Sequence, residues 1–163
     1  LGRHIFQGGK RMIFYLTGTR GGDFGAKIEE KLQKVFDLCV LELKLSRFRG
    51  VVHARMPRKT GLLEGRFHGL CEFEGKHEIA DKNFWWSTID LANTHDKREL
   101  VATLCHEMVH VKQYLRKELS EDGKKWLGKE IPNSKNPLDD PHEEEAYRLE
   151  EVLFKKCVDL KLV

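Results

Sequence analysis

Two histidines four residues apart, His106 and His110, with Glu107 beside the first, are the best-placed chemical groups in this 163-residue chain. On a helix, positions i and i+4 project from one face about one turn apart. That spacing suits two nitrogen ligands of a tetrahedral Zn²⁺ ion. A carboxylate next to such an ion can take a proton from a water molecule whose pKa the metal lowers towards about 7. His106 and His110 are therefore the expected metal ligands. Glu107 is the expected general base, returning its proton to a leaving amine.

The motif needs a helix, and the sequence supplies one. Asp96-Lys97-Arg98-Glu99 reads as a capping box, with Asp96 as N-cap and Glu99 at the third helical position. Leu100, Val101, Leu104, Val109 and Val111 flank the motif, and the predicted helix runs to about Leu119. Glu121-Asp122-Gly123 supplies the stop signal. A catalytic zinc usually takes three protein ligands and keeps one position open. Candidates for the third cluster in His142-Glu143-Glu144-Glu145 at the start of a last predicted helix, where Asp140-Pro141 sets Pro at the first helical position. Helical phase brings His142 and Glu145 nearest the apolar stripe of Ala146, Leu149, Val152, Leu153 and Cys157, with Glu143 at its flank. Glu143 could instead complete a capping box with Asp140. Periodicity alone leaves His142, Glu143 and Glu145 all open.

Leu104-Cys105-His106-Glu107-Met108-Val109-His110-Val111-Lys112-Gln113-Tyr114 resembles the active helix of zincin metallopeptidases, in particular small SprT-like and phage-encoded ones. Glu143-Glu144-Glu145-Ala146 is similar to the Glu-x-x-Ala motif of the gluzincins, whose first Glu is the third zinc ligand. The resemblance thus implies Glu143 as ligand, with Glu145 in reserve. It covers about residues 100–153. Tyr147 stands where gluzincins carry Asp or Asn, and no histidine lies between His110 and His142, although SprT-like peptidases use a third one. The resemblance further implies that the strand before the active helix, Phe84–Leu91, is a sheet edge to which a substrate backbone could add. Tyr147, Tyr114 and Arg148 are candidate oxyanion donors. Gln113 either orients a group near the site or faces solvent.

Other elements must hold these groups in place. Met12–Thr17 reads as a strand and Ala26 to about Leu45 as a helix, with Ile28, Leu32, Val35, Phe36, Cys39 and Leu43 in one stripe. Gly18–Gly22 is Gly-rich but lacks the Gly-Lys-Ser/Thr ending of a phosphate loop, so it reads as a turn. Val51–Met56, Leu62–Glu74, Lys76–Asp81 and Phe84–Leu91 have the texture of strands. In that region His53, His68 and His77 read as sheet-surface or packed histidines. Trp85 and Trp86 point to opposite faces. Lys124–Asp140 reads as a long loop without regular structure. The expected architecture is α+β and zincin-like: an N-terminal helix on a small sheet of three to five strands, the metal-bearing helix, and a C-terminal helix carrying the third zinc ligand.

Composition frames the partners. A chain with 40% hydrophobic and 34% charged residues fits one globular domain spanning residues 1–163, with 1–11 as a tag or flexible arm. No apolar run approaches the roughly 18–20 residues that cross a bilayer. The opening residues also lack the apolar stretch of a secretory signal. Four scattered cysteines, Cys39, Cys71, Cys105 and Cys157, point to reduced, buried thiols and a cytoplasmic protein. Net charge is +3, yet residues 1–70 hold 14 Lys/Arg against 6 Asp/Glu. The expected function is zinc-dependent hydrolysis of peptide bonds in a peptide or protein substrate. One rival is a DNA-associated protease or nucleic-acid-binding protein, suggested by the basic first half. Another is a non-catalytic regulatory domain that zinc only stabilises.

Overall fold

A computed structural model describes residues 11–19, 23–57, 69–79, 81–92, 96–133 and 135–163. The fold is α+β, with three long helices and a small mixed sheet. Strand β1 (Met12–Thr17) leads into helix α1 (Asp23–Glu42), and β2 (Gly50–Arg55) returns parallel to β1. Strands β3 (Gly69–Ile79) and β4 (Lys82–Leu91) form an antiparallel hairpin, and β4 also pairs in parallel with β2. The order β1-β2-β4-β3 makes β3 an edge strand.

That order corrects the expectation for Phe84–Leu91. β4 is an interior strand, hydrogen-bonded on both sides, and the edge beside the helix that carries His106 and His110 belongs to β3. Burial of Phe84 and of Ser87 through Leu91 suits an interior position. The expected strands around Lys76 and Glu74 are one continuous β3, carrying a bulge between Phe73 and Gly75. The first part of the expected Leu62–Glu74 strand, His68, and Arg20–Gly22 of the Gly-rich turn lie outside the described residues.

Apolar periodicity places the helices. Ile28, Leu32, Val35, Phe36 and Cys39 of α1, and Leu43 just after it, are all buried, as expected. They pack in one core with Phe14 and Leu16 of β1, Val52 and Ala54 of β2, and Ile89 and Leu91 of β4. Helix α2 (Lys97–Leu115) joins this core through Leu100, Val101, Leu104, Cys105, Met108, Val109 and Val111. Helix α3 (Pro141–Asp159) docks with Ala146, Leu153 and Cys157, whereas Val152 is exposed rather than on the buried face. All four cysteines are free thiols; Cys39, Cys105 and Cys157 are buried. Among the described residues no helix is long and apolar enough to cross a membrane. Arg11 is not part of a free arm, because its carbonyl accepts from Gly50 N at 2.9 Å; residues 1–10 lie outside the described residues.

The Asp96 carboxylate caps α2, accepting from the backbone N–H groups of Arg98 at 2.8 Å and Glu99 at 3.3 Å. The other end comes four residues earlier than the Leu119 expected. Lys117 takes φ 58°, its N–H donates to Tyr114 O, and Glu118 N–H donates to Gln113 O. This is the paired hydrogen bonding of a Schellman stop. Lys44 after α1 and Lys161 after α3 sit at the same point of the same motif, with φ 55° and 57°. Glycine normally marks such stops, so three lysines conceal them in the sequence. Residues 124–140 are also more ordered than expected. β5 (Lys125–Trp126) and β6 (Lys129–Glu130) form a hairpin whose turn residues, Leu127 and Gly128, both have positive φ, and a short 3₁₀ turn, η1 (Pro137–Asp139), precedes α3.

A non-glycine residue in the left-handed region costs about 1–2 kcal/mol, against roughly 0.5–1 kcal/mol for the extra entropy a glycine loses on folding. Lys117→Gly and Lys161→Gly are each expected to raise stability by about 0.5–1 kcal/mol, read as a higher urea midpoint with an unchanged slope.

Candidate metal centre

Helix α2 carries His106 and His110 on the face turned towards α3 and the cleft, one turn apart. Their Nε2 atoms lie 3.2 Å from each other. From the first turn of α3, Glu143 reaches between them, Oε2 lying 3.2 Å from His106 Nε2 and Oε1 3.4 Å from His110 Nε2. One ligand atom from each of the three lies within 4.8 Å of the others, so the group could hold a metal ion. Nitrogen and oxygen ligands about 2.0–2.1 Å from a tetrahedral zinc are roughly 3.3 Å apart along each edge. The observed separations match that edge.

The outer nitrogens explain why the inner ones are available. His106 Nδ1 lies 2.9 Å from Glu150 Oε2, and His110 Nδ1 lies 2.8 Å from Gln113 Oε1. Both partners are acceptors, so each Nδ1 carries a proton and each Nε2 faces inward, where it can carry a second proton towards Glu143 or offer its lone pair to a metal. The Gln113 amide has no freedom to reverse. Its Nε2 donates to His142 O at 2.8 Å and to Glu145 Oε2 at 3.0 Å, both acceptors. Two ring nitrogens and a carboxylate thus converge on one point and favour positive charge there, as protons or as a metal ion.

The electrostatics agree. Burial works to lower the His106 pKa, but the hydrogen-bonded carboxylates of Glu143 and Glu150 push it up to about 10. His110 is raised in the same sense, burial opposing and Glu143 prevailing. Burial works to raise Glu143, yet the two imidazoles hold it well below the ordinary carboxylate range. Glu107 behaves differently: burial lifts it to about 7, with His110 and His106 opposing. It is almost fully enclosed, tucked against the start of β3. A Cβ at position 69 would stand 2.6 Å from Glu107 Oε1 and 2.5 Å from Thr103 Cγ2, so Gly69 is what lets β3 pass this close.

Of the three candidates left open in 142–145, the structure brings only Glu143 to the histidine pair. Glu145 turns the other way, accepting from Lys112 Nζ at 2.8 Å and from Gln113. Burial works to raise its pKa, but these two donors hold it low. Lys112 is itself buried and also lies 2.8 Å from Glu118. His142 stays at the cleft wall, its Nε2 3.6 Å from Glu143 Oε1. Asp140 makes no side-chain cap, so no capping box competes for Glu143. Gln113 is completely buried and orients His110.

A cleft of about 290 Å³ opens over the centre, lined by Gly69, Leu70 and Cys71 of β3 and by Tyr114, Leu119 and Tyr147 among others. Tyr147 packs on the His106 ring at 4.6 Å between centroids and is half exposed. Tyr114 stacks on Phe73 at 5.0 Å, and burial pushes its hydroxyl up to about 12. Arg148 is exposed and does not line the cleft. Trp85 and Trp86 occupy opposite faces of the sheet and both are half-buried, Trp85 against Phe73 and Trp86 against Tyr15. His53 stacks on Tyr15 and shares a 2.8 Å hydrogen bond with Thr17, while His77 tilts against Trp86, so neither belongs to the centre.

Two parts of the site were missed in the sequence. Glu150 stands seven residues, two turns, beyond Glu143, a signal that helical period does carry. The Lys112–Glu145–Glu118 cluster had no sequence signal, because it joins the end of α2 to the start of α3, about thirty residues on. Comparison of the chain with protein-family models, with curated proteins and with solved structures finds no match.

This geometry assigns separable roles. If the group holds a metal ion, His110→Ala and Glu143→Ala are expected to abolish its tight binding, read with added zinc in a calorimetric titration. Glu150→Gln should weaken it by roughly 10–100-fold, the usual cost of losing an orienting carboxylate. Glu145→Ala should keep the metal but lose about 3 kcal/mol of stability, because it strands part of the buried Lys112 charge.

Proposed function

We propose that this chain is a zinc-dependent peptidase of the zincin kind. The observation that carries the reading is the convergence of two imidazole Nε2 atoms and the Glu143 carboxylate beside the buried Glu107, under an edge strand. His106, His110 and Glu143 would hold the zinc. Zinc bound there supplies Lewis acidity, polarising a carbonyl oxygen and making water a better nucleophile.

The chain's own groups account for the remaining steps. Glu107 takes a proton from the attacking water as its oxygen adds to the carbonyl carbon. It returns that proton to the amine nitrogen as the C–N bond breaks. Its pKa of about 7 suits both directions of transfer near neutrality. Tyr147 and Tyr114 both line the cleft, and their hydroxyls would donate to the developing oxyanion. Among the described residues β3 pairs only with β4, so its free edge can receive an extended substrate backbone beside Gly69 to Cys71.

Glu107→Gln separates catalysis from a purely structural zinc. The expected result is zinc content equal to wild type with cleavage of an unfolded protein substrate reduced at least a thousandfold, roughly 4 kcal/mol of barrier. Retained function in this variant would assign the metal to stability alone. Chelation should abolish cleavage, and added zinc should restore it.

A further inference from the structure

The bulge in β3 sorts the charges of that strand between the two faces of the sheet. In a regular strand alternate residues share a face, so Glu72, Glu74 and Lys76 would lie together. The extra residue between Phe73 and Gly75 reverses the alternation. Lys76 therefore turns to the helix side, its Nζ 4.7 Å from the centroid of the Trp85 ring. Phe73, before the bulge, meets the same ring at 5.5 Å. Glu72, opposite Thr88, and Glu74, whose carboxylate accepts from the Thr88 hydroxyl, stay on the other face, and both are exposed. The charges of both reach Arg55, but its guanidinium is already held by Asp90 through hydrogen bonds of 2.6 and 2.8 Å.

The helix side of the same edge has the opposite chemistry. There Cys71 lines the cleft together with Tyr114, Leu119 and Gly123, none of them charged. Tyr114 stacks on Phe73, which carries the apolar wall along β3 as far as the bulge. One stretch of edge, Gly69 to Phe73, thus borders the metal centre with an apolar face on one side and a carboxylate face on the other. The bulge sets its length, because the ladder is disrupted there.

A chain added to the outer edge of β3, with which no described strand pairs, must alternate its side chains between these two environments. The residue opposite Glu72 projects beside that carboxylate, and Glu74 lies diagonally within reach of a long side chain. Opposite charges attract across strands and like charges repel, so Lys or Arg belongs there. Its two neighbours, opposite Cys71 and Phe73, turn towards the apolar wall. The pattern reads the same in either chain direction. We infer that the substrate class is an extended, unfolded segment in which a basic residue is flanked on both sides by apolar ones, with Glu72 and Glu74 selecting the basic side chain. The inference rests on the peptidase reading of the cleft, which gives a chain its reason to lie along this edge.

The test is fluorescence anisotropy with the full-length, zinc-loaded Glu107→Gln protein, which should hold a peptide without consuming it. The labelled peptides are identical except for a central Leu-Lys-Phe, Leu-Glu-Phe or Ser-Lys-Ser. The Leu-Lys-Phe peptide should bind about tenfold more tightly than the Leu-Glu-Phe one, several cross-strand charge contacts changing sign together. It should also bind more tightly than the Ser-Lys-Ser one. Adding Glu72→Lys/Glu74→Lys should reverse the order of the lysine and glutamate peptides at unchanged zinc content. Adding Glu72→Gln/Glu74→Gln, which keeps size and hydrogen bonding, should erase the difference between them. No binding of any peptide, no preference for lysine, or a preference that survives either double substitution would overturn the inference. Cleavage of an unfolded protein by the wild-type chain is measured alongside. Cleavage without the preference removes this inference and leaves the peptidase reading standing. A charge-reversible preference without cleavage removes the peptidase reading and keeps the edge as a peptide-binding surface.

Discussion

Two imidazole Nε2 atoms and a carboxylate, held within 3.4 Å of one another and largely out of water, demand positive charge among them, whether as protons on the rings or as a metal ion. The groups around the centre maintain that convergence. Glu150 and Gln113 take the outer protons of His106 and His110, which keeps both inner nitrogens facing the same point. Lys112 and Gln113 hold Glu145 on the other side of α3, which sets the rotation of that helix and aims Glu143 inward. The two helices that bring the three groups together are held by core packing of α2 and α3 through Cys105, Ala146, Leu153 and Cys157.

The same packing creates two carboxylate environments a few ångströms apart. Glu143 faces the imidazoles and is kept ionised; Glu107, one residue from His106, is enclosed by β3 and driven towards neutrality. Divergent environments for neighbouring acids are the usual way a fold separates a ligand or charge stabiliser from a proton carrier. Gly69 is the enabling residue, because any side chain there would collide with Glu107. The candidate base and the candidate substrate edge thus depend on one glycine in β3.

Legibility in the sequence followed range. Apolar periodicity located β1, α1, α2 and α3 to within a few residues, because each buries a stripe set by local geometry. Helix ends were less legible, since Lys44, Lys117 and Lys161 occupy positions where glycine is the readable signal. The hairpin of β5 and β6 was hidden for a related reason: its turn is Leu127-Gly128 rather than Asn-Gly. The edge assignment failed because strand order is decided by pairing between distant segments. β2 pairs with β4 across thirty-five residues, His53 opposite Thr88, and no periodicity within β4 reports that.

Local sequence was enough to place the candidate ligand pair: His106 and His110 are spaced by the α-helical turn, so their common face followed once the helix formed. It was also enough to mark the acidic run that supplies the third member of the group. Which member of that run would serve was a tertiary decision. Helical phase put His142 and Glu145 nearest the apolar stripe and did not choose between them and Glu143, but a buried ammonium at Lys112 and a buried amide at Gln113 claim the Glu145 carboxylate, and Glu143 is left to meet the histidines. Those groups lie about thirty residues away in the chain and within 3 Å in space, a relation that only packing of α3 on α2 establishes.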